Sequence, residues 1–167
     1  MKNIARNLLI VSAILVSSLG AYSLYLAKQD YSADSVIFNT SKNIAINGYD
    51  TVAYQKQKTA LRGDPDFQVD WAGSIWFFIN IENRDIFAAA PKNYAPLFGG
   101  YDPLGISKGY TNPTDPEIYT VKAGQTFLHY SPEYREAWEI DRGRNLILAN
   151  SNWVFLREQL LEMQNDE

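Results

Sequence analysis

Cysteine is absent from the 167-residue chain, and histidine occurs once, at His129. Without a thiol the chain forms no disulfide, and cysteine nucleophiles and cysteine-based zinc or iron–sulfur sites are excluded. A single imidazole also excludes any metal site that needs two histidine ligands from one chain. Two methionines argue against a methionine-rich copper site. The composition therefore excludes most soft-metal and thiol chemistry.

The chain has a formal net charge of −4 and contains no run of lysine or arginine. Residues 1–27 hold two bases, Lys2 and Arg6, and no acid, so the remainder is more acidic still. A negative surface without a basic patch repels the phosphate backbone. Nucleic acid is therefore not an expected partner.

Aromatic residues are abundant, with eleven Tyr, eight Phe and four Trp in an otherwise ordinary composition. Large rings bury much apolar area, so they can form a firm core in a small domain. Because buried tyrosine hydroxyls need polar partners, we expect this core to have a hydrated edge. The chain length suits one domain with an extension.

Residues 8–27, LLIVSAILVSSLGAYSLYLA, form a long uncharged run. It follows two basic residues, as in a secretory signal peptide, and Ser18-Leu19-Gly20 offers a small-x-small cleavage site. Its length also meets the roughly 20 residues of a membrane-spanning helix, with Tyr22 and Tyr25 near the far interface. Both interpretations of residues 1–28 stay open, and the continuation of the run past the cleavage site favours an uncleaved signal anchor. A buried core helix is disfavoured, because the run has no polar face.

Lys2 and Arg6 remain in the cytoplasm in both interpretations. The rest of the chain is then membrane-anchored on the periplasmic or extracytoplasmic side, or is secreted if the segment is cleaved. The membrane is thus an expected partner through an N-terminal apolar helix. Residues 29–35 are predicted to be a polar linker, and residues 36–165 form the expected domain.

Hydrophobic periodicity predicts an α+β domain with a small antiparallel sheet covered by short helices. The predicted strands are residues 42–46, 67–71, 74–80, 117–121 and 126–130, and the predicted helices begin at residues 51, 81, 91, 132 and 145. Turns are expected at Asn47-Gly48, Ala72-Gly73 and Ala123-Gly124. Residues 55–66 and 102–116 are predicted loops because they are rich in glycine, proline and polar residues.

One set of motifs extends over most of the chain after the linker. It comprises residues 47–50 and 52–54, Trp71, Gly73, Trp76, Phe78, residues 82–84, Phe87, Pro91, Tyr94, Pro96, residues 99–101 and 107–109, Asp115-Pro116, Tyr130-Ser131, Trp138 and Asn152-Trp153. As a set these motifs resemble the YHS-domain family, in its bacterial secreted or membrane-tethered single-domain type. The resemblance implies a metal-binding module related to small cysteine-rich domains.

The chain departs from this family at the cysteines. In the relatives it most resembles, a cysteine follows the Gly-Gly-Tyr motif, and here Asp102 takes that place. Other branches have a cysteine near the end of the second strand, where this chain has Phe78 and Asn80. A carboxylate at Asp102 suits calcium, magnesium or manganese rather than copper(I). The resemblance with this replacement makes a divalent metal ion the expected cofactor.

The candidate ligand-binding residues are Tyr49, Asp50, Gly99, Gly100, Tyr101 and Asp102, and the candidate metal ligands are Asp102 and His129. The two glycines let the backbone approach either a ligand or the Trp71/Trp76 strand pair. Asp50 fits a ligand or a helix cap. His129 fits a metal ligand or a histidine at the rim of the domain on an alternating strand. Arg84 is predicted to face inward and to pair with Asp50 or Asp102.

Three functions follow from these candidates. The leading hypothesis is a membrane-tethered, outward-facing YHS-like binding module for a metal ion or small ligand, with no catalytic residue assigned. The alternative is a degenerate structural or protein-interaction module of the cell envelope without a metal site. The third is a hydrolase-type enzyme in which Asp50, Asp102 and His129 converge in one cleft.

Overall fold

The computed structural model describes residue 38 and residues 40–165, and these residues form small sheets and short helices in an α+β arrangement. In chain order the elements are β1 (Thr40–Ser41), β2 (Ile44–Ala45), α1 (Thr51–Lys56), β3 (Asp64–Trp71), β4 (Ser74–Phe78), α2 (Ile81–Ala89), α3 (Pro91–Tyr94), α4 (Pro103–Ser107), β5 (Asp115–Lys122), β6 (Gln125–His129), α5 (Pro132–Ile140) and α6 (Arg142–Asn165). The predicted signal segment 1–28 and linker 29–35 lie outside the described residues. Within the described ranges, no helix combines the length and the apolarity that a membrane crossing requires.

The strands form two sheets, so the prediction of one antiparallel sheet is wrong. The larger sheet has the order β1-β2-β4-β3, and β2 runs parallel to β4 with Ile44 opposite Ile75. The smaller sheet is the β5–β6 hairpin alone. Local periodicity predicts the strands but not the pairing of β2 with β4, because those two strands are distant in sequence and each is short. The central position predicted for β4 is confirmed.

The two predicted hairpin turns are confirmed. Ala72 and Gly73 join β3 to β4 with φ of 51° and 72°, and Ala123 and Gly124 join β5 to β6 with φ of 50° and 73°. Two successive left-handed residues match the twist of the flanking strands, which is why two-residue turns of this kind close hairpins.

The two predicted loops are shorter than expected. Helix α1 continues to Lys56 and β3 begins at Asp64, while α4 occupies residues 103–107 inside the second predicted loop. Asp102 begins α4 as its N-cap, with Pro103 in the first turn. Proline at that position is compatible with a helix because the first N–H groups have no intrahelical acceptor. A one-turn helix of this kind has too few residues to show a periodic pattern.

Aromatic side chains build the core, as the composition predicts. Trp76 lies at the centre of one cluster, with ring centroids 4.7 Å from Phe38 and 4.9 Å from Phe87. A second cluster joins Phe127 to Trp138 at 5.6 Å beneath α5. Tyr54 is fully buried, and its hydroxyl donates to the Pro116 carbonyl at 2.8 Å. Burial raises the pKa of the Tyr54 hydroxyl, so this buried group stays neutral and paired.

Candidate functional site

Asp102 is a fully buried carboxylate that caps α4. Its Oδ2 accepts a hydrogen bond from the Gly105 N–H at 2.7 Å, and its Oδ1 accepts one from the Tyr130 N–H at 3.2 Å. Asp102 therefore joins α4 to the end of β6. Two backbone donors stabilise the carboxylate in a place without solvent.

The fold brings His129 to Asp102. His129 is the last residue of β6, and its Nδ1 lies 3.8 Å from Asp102 Oδ1, with both side chains fully buried. Its Nε2 lies 3.1 Å from the hydroxyl oxygen of Thr120 on β5. Among the described residues, Nδ1 has no hydrogen-bond partner. The interpretation of His129 as a histidine at the rim of the domain is wrong, because its side chain is fully buried.

The pair supplies one imidazole nitrogen and one carboxylate oxygen to the same small space. Within the described part of the chain, no three His, Cys, Asp or Glu side chains are grouped so that they could hold a metal ion. A firmly held divalent cation has at least four ligands. A cation between Asp102 and His129 would therefore need backbone oxygens or water to complete its coordination.

A group of tyrosines includes Tyr110, whose pKa is affected by the charge of Asp102. Tyr110 and Tyr134 share a side-chain hydrogen bond that, together with burial, raises the pKa of Tyr110 to about 12. Tyr130 is half exposed, and its ring centroid lies 5.1 Å from that of Tyr134. The Lys108 ammonium lies 5.7 Å from the Tyr134 ring centroid. These contacts place a cation beside the aromatic faces of this tyrosine group.

The Asp50 carboxylate accepts four hydrogen bonds. Oδ1 accepts from the N–H groups of Val52 and Ala53 at 2.8 and 3.1 Å, which caps α1 as predicted. Oδ2 accepts from the Ile79 N–H at 2.9 Å and from Asn83 Nδ2 at 2.7 Å. One fully buried carboxylate therefore connects α1, the end of β4 and α2.

The predicted inward ion pair of Arg84 is wrong. Its guanidinium contacts the neighbouring Asp85 at 2.7 Å, and both side chains are substantially exposed. Asn83 and Phe87 occupy the buried face of α2 instead. Phe87 and Asn83 are four positions apart and both lie on the buried face of α2, whereas Arg84 and Asp85 lie at the surface.

The Gly99-Gly100 bend packs against other residues of this chain. Phe98, Gly99 and Gly100 all have left-handed φ, at 54°, 60° and 75°. A β-carbon on Gly100 would lie 3.1 Å from Ile46 Cγ2 and 3.4 Å from Pro96 Cγ. The bend is therefore tight, as predicted, but its neighbour at Gly100 is Ile46 rather than the Trp71/Trp76 pair.

The two candidate tyrosines lie in different surroundings. Tyr49 donates a hydrogen bond to Glu117 Oε1 at 3.0 Å, and the Arg62 guanidinium lies 5.1 Å from its ring centroid. Burial and the Glu117 carboxylate raise the pKa of Tyr49. Tyr101 is half buried with its ring centroid 6.2 Å from that of Trp153, and burial raises its pKa.

Of the seven assigned candidate positions, the structure brings Asp102 and His129 together. Asp50 makes its hydrogen bonds with a separate set of residues, in α1, after β4 and in α2. Two surface depressions, of about 390 and 470 Å³, lie beside the β3–β4 turn and beside Arg62 and Gly63. Neither is lined by Asp102 or His129.

The sequence analysis did not predict two polar residues that contact Asp50 and His129. Asn83 is the donor to Asp50, and its signal is the helical spacing of four from Phe87. Thr120 is the neighbour of His129 across the β5–β6 hairpin. The register of that hairpin shifts between Asp115 and Tyr119, so counting from the turn does not predict the contact.

A row of seven exposed residues lies along the outer side of α6. We define this outer face of α6 by its members, which are Arg144, Ile147, Leu148, Ser151, Val154, Phe155 and Glu158. Phe155 is 68% exposed and Ile147 57% exposed. Their spacing of three and four residues places all seven on one side of the helix. Ala149 and Asn152 mark the other side, where Ala149 is buried and Asn152 Nδ2 donates to the carbonyls of Ile106 and Ser107.

Comparison with known proteins gives no match of the chain to a family model, to a curated protein or to a solved structure.

Proposed function

We propose that the chain is a YHS-like protein-interaction module of the cell envelope, held at the membrane by residues 1–28, and that the outer face of α6 is its contact surface. The observation that carries the proposal is the exposure of four large apolar side chains on that face, with Phe155 the most exposed. Contiguous exposed apolar residues with charged ends are typical of interaction surfaces.

The internal use of the other candidates supports this choice. The carboxylate oxygens of Asp50 and Asp102 accept hydrogen bonds from backbone and amide donors at the ends of helices and strands. Gly100 packs against Ile46 and Pro96. These residues make their contacts inside the fold, whereas the side chains of the outer face of α6 are exposed.

The proposal predicts a site-specific cross-link at Phe155. The full chain is expressed in cells with the photoreactive residue p-benzoylphenylalanine at Phe155, and irradiation is expected to give a defined protein adduct. The same residue at Ala123, which is exposed at the β5–β6 turn, is the matched control and is expected to give none. Adding Ile147→Ser is expected to abolish the adduct while the chain still folds, because surface substitutions change the free energy of unfolding by about 0.5 kcal/mol or less. Equal adducts at both positions, or none at Phe155, contradict the proposal.

A second function, binding of a small cation or polar ligand between Asp102 and His129, is favoured by one specific observation. His129 Nδ1 is buried beside a carboxylate without a hydrogen-bond partner among the described residues. Buried polar atoms are nearly always paired, so an unpaired one in a folded protein is a place where a water or an ion fits. The oxygen of Asp102 favours hard cations.

Cation binding at this pair predicts a rise in melting temperature of the full chain with magnesium, manganese or calcium. A ligand at a hundred times its Kd adds about 2.7 kcal/mol to the free energy of unfolding. His129→Gln is expected to remove the rise, and Asp115→Asn, at an exposed carboxylate, is expected to keep it. If none of the three cations raises the melting temperature of the wild-type chain, this second function is wrong.

A further inference from the structure

We infer that the partner of the outer face of α6 is the same face of a second copy of this chain, packed antiparallel about a two-fold axis at Ser151. This inference rests on the proposed function, since it names the partner of that surface. It is carried by the order of the residues on the face, their exposure and their charges.

The apolar positions of the outer face are arranged symmetrically along the helix. Ser151 is its midpoint. Moving outward in the two directions, Leu148 and Val154 lie three residues away, and Ile147 and Phe155 lie four residues away. In an antiparallel pair centred on Ser151, Leu148 therefore lies opposite the partner's Val154, and Ile147 opposite the partner's Phe155. A self-complementary patch of this kind is what a two-fold interface requires.

The charges complete the pattern. Arg144 lies seven residues before Ser151 and Glu158 lies seven residues after it, and both are exposed. Antiparallel packing places each arginine opposite the glutamate of the other copy, at both ends of the interface. Parallel packing in the same register would place arginine against arginine and glutamate against glutamate. The charge order therefore selects the antiparallel arrangement.

The midpoint and the acidic end also argue for a protein partner over a lipid surface. Ser151 is small, and a small residue at the crossing lets two helices approach to the short end of the usual 8–10 Å axial separation. A helix that lies on an anionic membrane typically has Lys and Arg along its polar face. This face instead ends at Glu158, with the exposed Glu162 one turn further on.

Cysteine cross-linking tests the register, because the natural chain contains no cysteine. Ser151→Cys in the full chain is expected to give a disulfide-linked dimer on mild oxidation, since the two α-carbons meet at the axis within disulfide range. Ile147→Cys alone is expected to form no disulfide, because the two copies of this residue lie about 12 Å apart along antiparallel helices. The double variant Ile147→Cys/Phe155→Cys is expected to cross-link. Ala123→Cys, exposed at the β5–β6 turn, is the control for random collision.

Charge reversal tests the same register without a covalent bond. Arg144→Glu and Glu158→Arg are each expected to raise the dimer Kd of the full chain about tenfold, because each reverses two opposed pairs. The double variant Arg144→Glu/Glu158→Arg is expected to restore it to within about threefold. Sedimentation of the detergent-solubilised chain measures the Kd.

The outcomes separate the partner from the surface. The antiparallel dimer is overturned if Ser151→Cys gives no more disulfide-linked dimer than the Ala123→Cys control. It is also overturned if Ile147→Cys alone forms a disulfide, or if the double charge variant does not restore the dimer Kd. A Phe155 photo-adduct with a different protein overturns the second-copy partner and leaves the proposed function standing. A photo-adduct with lipid alone overturns both.

Discussion

Asp50→Ala is expected to lower the free energy of unfolding by about 4 kcal/mol or more, which is much of the 5–15 kcal/mol that holds a typical domain folded. The carboxylate accepts hydrogen bonds from the N–H groups of Val52, Ala53 and Ile79 and from Asn83 Nδ2. Alanine leaves all four donors buried without their acceptor, and each unpaired donor costs free energy of desolvation. The same change removes the cap of α1, which by itself costs about 1 kcal/mol.

Graded substitutions give this prediction its controls. Asp50→Asn retains the shape and one acceptor oxygen, so it is expected to cost about half as much as alanine. Asn83→Ala removes only one donor and leaves the backbone caps intact. Because Asp50 and Asn83 interact directly, the double variant Asp50→Ala/Asn83→Ala is expected to cost less than the sum of the two single changes. Urea denaturation of the full chain measures all four values. A loss below 1 kcal/mol for Asp50→Ala contradicts the structural role.

The caps and turns of this fold can be predicted from the sequence because their causes are local. Asp50, Asn80 and Ser131 each accept from a backbone N–H two or three residues ahead, so a short stretch of sequence contains both partners. The Ala72-Gly73 and Ala123-Gly124 turns are likewise specified by neighbouring residues. The helices and hairpins that these residues start or close were predicted accordingly.

The parts that the sequence could not specify depend on residues distant in sequence. Asp102 and His129 were named together as candidate metal ligands, but their 3.8 Å separation arises where α4 meets the end of β6, and no local pattern contains both elements. The parallel pairing of β2 with β4 joins Ile44 to Ile75 across α1 and β3. Charge alone selected Arg84 over Asn83 as the partner of Asp50, although helical phase places Asn83 on the buried face. Side-chain direction, rather than charge, decides which polar residue reaches a buried carboxylate.

Gly63 shows how a residue typical of loops can have a packing role that the sequence does not reveal. It precedes β3 at the edge of the segment that was predicted as a loop, where glycine is common. In the fold, a β-carbon on Gly63 would lie 2.4 Å from the carbonyl carbon of Phe77 and 2.6 Å from its oxygen. The Gly63 N–H donates to the Gly48 carbonyl at 2.8 Å, so this glycine is also joined to the backbone at Gly48. The close approach therefore requires the absence of a side chain.

Gly63→Ala is expected to lower the free energy of unfolding by about 3 kcal/mol, because the methyl group meets the backbone of β4 rather than a movable side chain. The corresponding fall in melting temperature of the full chain is on the order of 10 °C.

Alanine substitutions at two other glycines are controls that distinguish the effect of a steric contact from the effect of backbone strain. Gly143 in α6 has no heavy atom within 4 Å of its β-carbon position, so Gly143→Ala is expected to be neutral or to stabilise by up to about 1 kcal/mol. Gly73 also has open space but a φ of 72°, so Gly73→Ala is expected to lose about 1 kcal/mol from strain alone. A loss at Gly63 no larger than that at Gly73 contradicts the close contact with Phe77. The order Gly63, Gly73, Gly143, from most to least destabilising, follows because only at Gly63 does the added carbon force two strands of the sheet apart.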